Sequence, residues 1–188
     1  MRIFESYTGN AMLNNALMTI EALANLNNVS EITPEILIRL YQEPIKGNSL
    51  ISLNLRLKSY TMIFSKNGPL YNDKESGIKT YSALLEDIIM CFENEGKYIC
   101  EISGLRFNTK FDDIYINVLQ KIGLSKEKID KKETTINRCW FPLVGGLGSD
   151  AQALPQAVFP IKIHPICIVI MQFLPLSSLL FKSKILLI

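Results

Sequence analysis

The stretch Ile136–Gln156, INRCWFPLVGGLGSDAQALPQ, concentrates the side chains that are best suited to chemistry in this chain. It holds the only tryptophan, a cysteine, three glycines within four residues, an aspartate and two prolines. Glycine and proline at this density predict a loop. A loop of this composition could hold a phosphate, a metal ion, a nucleophile or a partner molecule, and each alternative needs different neighbouring residues.

A phosphate site would use Gly145, Gly146 and Gly148, but the neighbours of these glycines do not fit. A P-loop needs Lys and then Ser or Thr after its last glycine, so that an amine reaches the phosphates and a hydroxyl reaches Mg²⁺. Here Gly148 is followed by Ser149 and Asp150, and the stretch contains no lysine. The spacing also fails the dinucleotide-binding fingerprint. The pattern favours a tight turn with positive φ angles.

A hydrolytic site would combine Ser149, Asp150 and His164. Because Ser149 and Asp150 are adjacent in sequence, one imidazole would have to lie between neighbouring side chains, which disfavours a triad. His164 is the only histidine, and it precedes Pro165. The favoured interpretation of His164 is a packed, hydrogen-bonded residue at the start of a helix.

A zinc site would need four nitrogen or sulfur ligands, usually in two close pairs. The segments CEIS (100–103) and INRC (136–139) each look like a CxxC pair that has lost one cysteine, with Ser103 and Ile136 at the lost positions. Isoleucine cannot bind a metal. The alternative is a set of buried free thiols, which we favour. Four ligands could still be assembled from scattered positions: Cys100, Cys139, His164 and Cys167.

The sequence Trp140-Phe141-Pro142 has two interpretations. Large aromatic side chains are usually part of a hydrophobic core. The alternative is a platform on which nucleic-acid bases stack. We favour the core.

Composition bounds the class of protein. The chain has 188 residues, of which 48% are hydrophobic and 20% charged, which argues against disorder. The net charge of +2 gives no global attraction for nucleic acid, so any such binding must be local. The amino terminus does not resemble a signal peptide, and four widely spaced cysteines do not form a disulfide framework. We therefore expect a reducing, cytoplasmic location.

Helical periodicity appears in four segments. Leu13, Leu17, Ile20 and Ala24 predict a helix that Asn10 caps and that Asn27-Asn28 ends. A second helix begins with Thr33 as N-cap and Pro34 in the first turn. The remaining two carry apolar stripes that should face the core: Leu84, Leu85, Ile88, Ile89 and Phe92 in one, and Phe111, Ile114, Tyr115, Val118, Leu119 and Ile122, ending at Gly123, in the other.

Alternating apolar residues at 50–58 predict a half-buried strand, residues 65–70 a turn, and KYICEI at 97–102 a short strand. Residues 125–133 predict a charged, solvated turn of helix. The fold class that follows is α+β, with several amphipathic helices and a small antiparallel sheet.

The segment 158–188 is strongly apolar to its last residue, and we interpret it as buried core. Mature domains seldom stop inside an uncovered apolar segment. We therefore expect residues 1–188 to form a single incomplete domain, truncated from a larger protein. Two alternatives are a small membrane-anchored protein, for which the apolar run is short, and a degenerate fragment without function.

The segments INRCWFPLVGGLGSDAQALPQ and IHPICIVIMQFLPLSSLLFK together resemble the large subunit of the type I CRISPR surveillance complex (Cascade), in the CXXC–CXXC branch of subtypes A and B. CEISG and INRC are similar to the two knuckles of that family, and each keeps one cysteine here. The resemblance is strongest over Arg138–Ile188 and weaker from Arg2 through residues 122–135. Family members are much longer, so this chain resembles their amino-terminal portion.

The resemblance implies a role without catalysis and without a cofactor. The implied partners are CRISPR RNA, target DNA, the other Cascade subunits and a helicase-nuclease that the full-length subunit recruits, with no membrane. In such complexes base pairing reads the sequence, while the protein reads duplex shape and a short flanking motif, the PAM. This chain would be the part that contributes to recognition of the PAM and of target DNA in antiviral defence.

The loop then becomes a candidate nucleic-acid contact. Glycines let backbone N–H groups approach phosphates or base edges, and arginine, serine and glutamine side chains can bond to either. Asp150 could accept from a cytosine amine, although a role as helix N-cap is favoured. A loop that Trp140 braces against the core is an equally good interpretation. The predicted nucleic-acid-binding residues are Arg138, Gly145, Gly146, Gly148, Ser149 and Gln152.

Overall fold

The computed structural model describes residues 1–41, 68, 75–142, 161–181 and 184–187. Within these ranges, helices and short antiparallel strands confirm the α+β class. The helices are α1 (Ala11–Ala24), α2 (Pro34–Leu40), α3 (Glu75–Met90), α4 (Phe111–Lys121), α5 (Lys126–Ile129) and α6 (Pro165–Met171). The strands are β1 (Tyr98–Ile99), β2 (Arg106–Phe107), β3 (Ser178–Phe181) and β4 (Lys184–Leu187).

Helix α1 begins as its sequence predicts. The side-chain oxygen of Asn10 accepts a hydrogen bond from the backbone N–H of Leu13 at 2.9 Å, which satisfies one of the free donors at the helix start. The side chains of Leu13, Leu17 and Ile20 are buried, as the periodicity predicts. This apolar face anchors α1 to the core.

The predicted end of α1 at Asn27-Asn28 is wrong by one turn. The helix ends at Ala24, because Asn25 adopts the left-handed conformation with φ 54°. Asparagine tolerates this conformation better than most residues and is a frequent helix terminator. Asn28 instead caps the short 3₁₀ turn that follows, accepting from the backbone N–H of Ser30 at 3.0 Å.

The start of α2 is confirmed. Thr33 accepts a hydrogen bond from the backbone N–H of Ile36 at 3.4 Å, and Pro34 occupies the first turn, where no N–H is needed. Just before this cap, the carbonyl of Ile32 accepts from the backbone N–H of Ile3 at 3.1 Å. This bond ties the amino terminus to the entrance of α2.

Helices α3 and α4 pack against each other through the two predicted apolar stripes. Nine of the eleven predicted positions are buried, and Phe92 and Ile122 are half-buried because each lies just beyond the end of its helix. Gly123 follows α4 with φ 87°, a conformation that favours glycine and ends the helix. The two stripes therefore form one wall of the core.

Helix α6 lies in the centre of the core. All seven of its residues are buried, and it packs against both α1 and α3. A helix that is apolar on every side needs neighbours on every side. Residues 163–175 are buried, whereas Ile161 and Lys162 are exposed.

The strands form two antiparallel pairs. Tyr98 pairs with Phe107 and Ile99 with Arg106, so the predicted strand at 97–102 is real but only two residues long. Strand β3 pairs with β4, with Ser178 opposite Leu187. The predicted strand at 50–58 lies outside the described residues, as does the turn at 65–70 apart from Gly68.

Candidate functional site

Of the predicted nucleic-acid-binding residues, Arg138 alone lies in the described part of the chain. It is half-buried in a turn that Asn137 organises. The Asn137 side chain accepts from the backbone N–H of Cys139 at 2.8 Å, and its carbonyl accepts from Trp140 and Phe141 at 3.0 Å each. The other predicted residues fall within 143–160, outside the described ranges: Gly145, Gly146, Gly148, Ser149 and Gln152.

Trp140, at the upstream boundary of residues 143–160, belongs to an aromatic cluster in the core. Its ring stacks on Tyr81 with centroids 6.1 Å apart, and it makes edge contacts with Phe111 at 5.3 Å and Tyr115 at 5.5 Å. Only 2% of Trp140 is exposed. The core interpretation of Trp140 is confirmed, because a base-stacking platform needs an accessible ring face.

Gln172, one residue beyond α6, forms a hydrogen bond with Trp140, which lies 32 residues earlier in the sequence. Its side-chain nitrogen donates to the carbonyl of Trp140 at 2.9 Å and to that of Ile168 at 3.1 Å. Its side-chain oxygen accepts from the Tyr81 hydroxyl at 3.2 Å. Gln172 is buried, so these bonds are its means of replacing lost water.

A second connection lies on the downstream side. The backbone N–H of Glu101 donates to the carbonyl of Lys162 at 2.9 Å, and the Glu101 carboxylate accepts from the Lys162 N–H at 3.3 Å. Glu101 belongs to the turn between β1 and β2. These two bonds hold Lys162 against the turn between β1 and β2.

His164 is the N-cap of α6, as the favoured interpretation predicts. Its Nδ1 accepts from the backbone N–H of Ile166 at 3.0 Å. Its Nε2 lies 2.7 Å from the carbonyl of Glu93, a pure acceptor, so Nε2 carries the proton. Burial lowers the pKa of His164, and the ring is held neutral between Phe92 and Phe107.

These two bonds bear on the hydrolytic and zinc alternatives, because both need a free imidazole nitrogen. In His164 one nitrogen accepts the helix cap bond and the other donates to Glu93. Ser149 and Asp150, the other members of the hydrolytic set, lie outside the described residues. His164 therefore acts in the fold as a cap rather than as a base or a ligand.

The structure brings two of the cysteines together, but its described residues do not form the four-ligand cluster that a zinc site needs. Cys100 and Cys167 are brought together, with their sulfur atoms 3.9 Å apart, and the Ser103 hydroxyl lies 3.4 Å from the Cys167 sulfur. Within the described ranges, no three His, Cys, Asp or Glu side chains are close enough together to hold a metal ion. Of the four residues in the zinc alternative, Cys100 and Cys167 form a thiol pair with Ser103 as a neighbour.

The two thiols of this pair differ electrostatically. The hydrogen bond from Cys167 lowers the pKa of Cys100 to about 5, assisted by the backbone N–H groups of His164 and Ile102 and by Ser103, although burial opposes the change. The same hydrogen bond and burial raise the pKa of Cys167 well above its usual value. One proton is therefore shared unequally, and it stays on Cys167.

The apolar carboxyl-terminal run is divided among several short elements. It contains the seven-residue α6, a 3₁₀ turn over Leu174–Ser177 and the strands β3 and β4. Among the described residues, no helix is both long enough and apolar enough to cross a membrane.

Sequence reasoning did not single out Gln172 as a site residue. The signal that could have found it is an amide inside an apolar run interpreted as core, because a buried amide must find hydrogen-bonding partners. The identity of those partners, Trp140 and Tyr81, depends on the tertiary fold.

Comparison with known proteins does not identify a family for this chain. No protein-family model matches the chain, and no curated protein or solved structure matches it. The functional assignment therefore depends on the residues and contacts of the chain itself.

Proposed function

We propose that the chain is a non-catalytic large-subunit component of a type I CRISPR RNA-guided surveillance complex. In this role it contributes to recognition of the PAM and of target DNA in antiviral defence. The observation that carries the proposal is the resemblance over Arg138–Ile188, above all the string Gly-Leu-Gly-Ser-Asp-Ala-Gln at 146–152. Its partners are CRISPR RNA, target DNA, the other Cascade subunits and a recruited helicase-nuclease in the cytoplasm.

Support comes first from the described residues that flank the predicted nucleic-acid-binding residues at 145–152 in sequence. Trp140 is packed among three aromatic rings, and Gln172 bonds to its carbonyl at 2.9 Å. Fixed ends reduce the conformational entropy that a segment loses when it binds. A Gly-rich segment between fixed ends suits close approach to a duplex.

The chemistry of the segment gives further support. The predicted glycines permit backbone N–H groups to approach phosphates, and Ser149 and Gln152 have side chains that bond to phosphates or base edges. Arg138 adds a permanent positive charge just upstream. With a net charge of only +2, the chain depends on such local contacts, while base pairing to the RNA supplies sequence specificity.

The state of His164 favours binding over acid–base catalysis. Both of its nitrogens are engaged, and burial lowers its pKa, so it is a poor proton carrier near neutral pH. It is also the only histidine of the chain. The chemistry of DNA cleavage would then belong to the recruited helicase-nuclease.

The test is to assemble the remaining subunits on a CRISPR RNA with and without this chain. Binding is measured to a DNA duplex that carries the target sequence and its PAM. We expect the chain to tighten binding at least about tenfold, equivalent to about 1.4 kcal/mol. A duplex with a scrambled PAM is the control and should show little difference. Equal affinity for the PAM-bearing duplex with and without the chain would overturn the proposal.

A further inference from the structure

We propose that Cys100 and Cys167 form a redox-modification site, in which a hydroperoxide converts the two buried thiols into a reversible disulfide. The proposal is independent of the CRISPR assignment. It depends on the juxtaposition of two thiols that are 67 residues apart in sequence, with sulfur atoms 3.9 Å apart. Both residues are thiols in the structure.

The two sulfur atoms are in van der Waals contact and must come closer for a disulfide to form. A disulfide needs sulfur atoms about 2.05 Å apart, so the two sulfurs must approach by about 1.9 Å. Cys100 lies at the end of the short β1–β2 pair, and Cys167 lies in the first turn of α6. Small rotations of two side chains that already face each other can supply an approach of this size.

The two thiols have different surroundings, and these assign them different roles in the reaction. Cys100 receives hydrogen bonds from Cys167 and from the backbone N–H groups of His164 and Ile102, and these stabilise its thiolate. Cys167 retains its proton and lies 3.4 Å from the Ser103 hydroxyl. A thiolate is the nucleophile in thiol oxidation, so Cys100 attacks first and Cys167 resolves the product.

The chemical steps balance as follows. The Cys100 thiolate attacks one oxygen of the hydroperoxide, the O–O bond breaks, and Cys100 becomes a sulfenic acid while hydroxide or alkoxide leaves. The Cys167 sulfur then attacks the Cys100 sulfur, the S–O bond breaks, and the departing hydroxide takes the Cys167 proton to form water. Two electrons pass from the two sulfurs to the peroxide, and an external thiol reverses the reaction.

A hydroperoxide would reach the buried pair from the side of the turn between β1 and β2. Both thiols are buried, but Cys100 is followed directly by the exposed Glu101, and Gly104 of the same turn is also exposed. The strand pair that carries this turn has two residue pairs, and the turn is also held by the bonds of Cys100 to Leu105 and Gly104 and of Glu101 to Lys162. Local opening breaks this small set of bonds. A hydroperoxide as small as hydrogen peroxide can then reach the Cys100 sulfur.

The chain offers a clean assay, because trypsin separates all four cysteines. Cleavage after lysine and arginine places Cys100 in peptide 98–106 and Cys167 in peptide 163–182. Cys91 falls in peptide 80–97 and Cys139 in peptide 139–162. A cross-link is therefore assigned to one pair of cysteines by the mass of a single species.

The experiment treats the folded full chain with hydrogen peroxide, alkylates the remaining thiols and maps tryptic peptides without reduction. We expect a species that joins 98–106 to 163–182 and disappears with dithiothreitol. Cys91→Ser removes an exposed thiol outside the pair and should leave this species unchanged. Cys167→Ser should abolish it and let Cys100 accumulate as a sulfenic acid that a dimedone probe captures.

Three outcomes would overturn the proposal. In the first, peptides 98–106 and 163–182 remain reduced while Cys91 is oxidised. In the second, the cross-link forms only after the chain has been unfolded in denaturant. In the third, Cys139 replaces either member of the pair in the dominant cross-link. The wild-type map alone distinguishes these outcomes, so the proposal stays testable even where Cys167→Ser does not fold.

Discussion

The side-chain amide of Gln172 donates to the main-chain carbonyl of Trp140 at 2.9 Å, across 32 residues of sequence. Both residues are buried, so the bond lies inside the core. Trp140 is fixed by its aromatic neighbours, and Gln172 by bonds to Tyr81 and Ile168. Through Gln172, helix α6 is connected to the turn that contains Trp140.

Replacing Gln172 should destabilise the fold strongly. Gln172→Leu leaves the Trp140 carbonyl and the Tyr81 hydroxyl buried without their partner, and each unsatisfied group costs about 1–3 kcal/mol. We expect the free energy of unfolding to fall by about 2–4 kcal/mol, measured by urea denaturation. Tyr81→Phe removes only the hydroxyl bond and should cost about 1 kcal/mol.

The double variant Gln172→Leu/Tyr81→Phe provides the control. Because the two side chains share a hydrogen bond, their effects should be non-additive by at least about 0.5 kcal/mol. Strict additivity would show that the Tyr81–Gln172 bond contributes nothing to stability.

Gly96 should tolerate no side chain. A Cβ atom at this position would lie 2.3 Å from the backbone carbon of Phe107 and 2.8 Å from the backbone nitrogen of Asn108. Backbone atoms cannot move aside without separating β1 from β2, so we expect Gly96→Ala to lower stability by about 1–3 kcal/mol. Gly9→Ala, where a Cβ meets nothing within 4 Å, is the matched control. Equal thermal midpoints for the two variants would contradict the close approach at Gly96.

The pH dependence of stability should contain a contribution from His164. Burial lowers its pKa below 6.5, so between that folded value and 6.5 the unfolded chain binds a proton that the folded chain does not. The free energy of unfolding therefore falls as the pH drops below about 6.5, by up to about 1.4 kcal/mol per pH unit, and the loss stops at the folded pKa.

His164→Asn isolates this contribution. Asparagine can keep the cap bond to Ile166 but does not titrate. The lowered pKa of Cys100 also reduces stability as the pH falls towards about 5, and this effect is common to both proteins. In the difference between their urea-unfolding profiles at pH 5 to 7.5, the stability of the His164 protein relative to His164→Asn should fall as the pH drops below about 6.5, with a slope of at most one proton. Parallel profiles would contradict a buried neutral His164.

Much of the local structure could be predicted from sequence, because its causes are local. Asn10 and Thr33 cap helices through their own side chains, and the stripe that begins at Phe111 follows helical periodicity. The end of α1 was missed because three asparagines lie within four residues, and sequence alone does not show which one adopts the left-handed conformation.

Contacts between distant residues were harder to predict. The sequence identified Cys100, Cys139, His164 and Cys167 as one candidate ligand set. It could not show that the sulfur atoms of Cys100 and Cys167 lie 3.9 Å apart, or that both His164 ring nitrogens are engaged in hydrogen bonds. Such pairings depend on how α6 is placed between α1 and α3, which no local pattern encodes. The aromatic neighbours of Trp140 are a further example.

Arg138 should contribute one phosphate contact within the assembled complex. Arg138→Gln removes the charge while keeping a side chain of similar polarity. We expect weaker binding on all target sequences alike and a slope of log Kobs against log salt concentration that is shallower by about 0.9. Arg2→Gln is the control, because Arg2 is exposed and pairs with Glu5 at 3.4 Å. An unchanged slope for Arg138→Gln would remove Arg138 from the interface.

If the chain works inside an RNA-guided complex, as we propose, it should be isolated from cells together with that complex. The affinity-tagged chain is isolated from cells that express the whole system, and the bound RNA and proteins are sequenced. We expect to recover CRISPR RNA together with the other Cascade subunits. Recovery of soluble chain without RNA or subunits, or recovery in a carbonate-resistant membrane pellet, would contradict it.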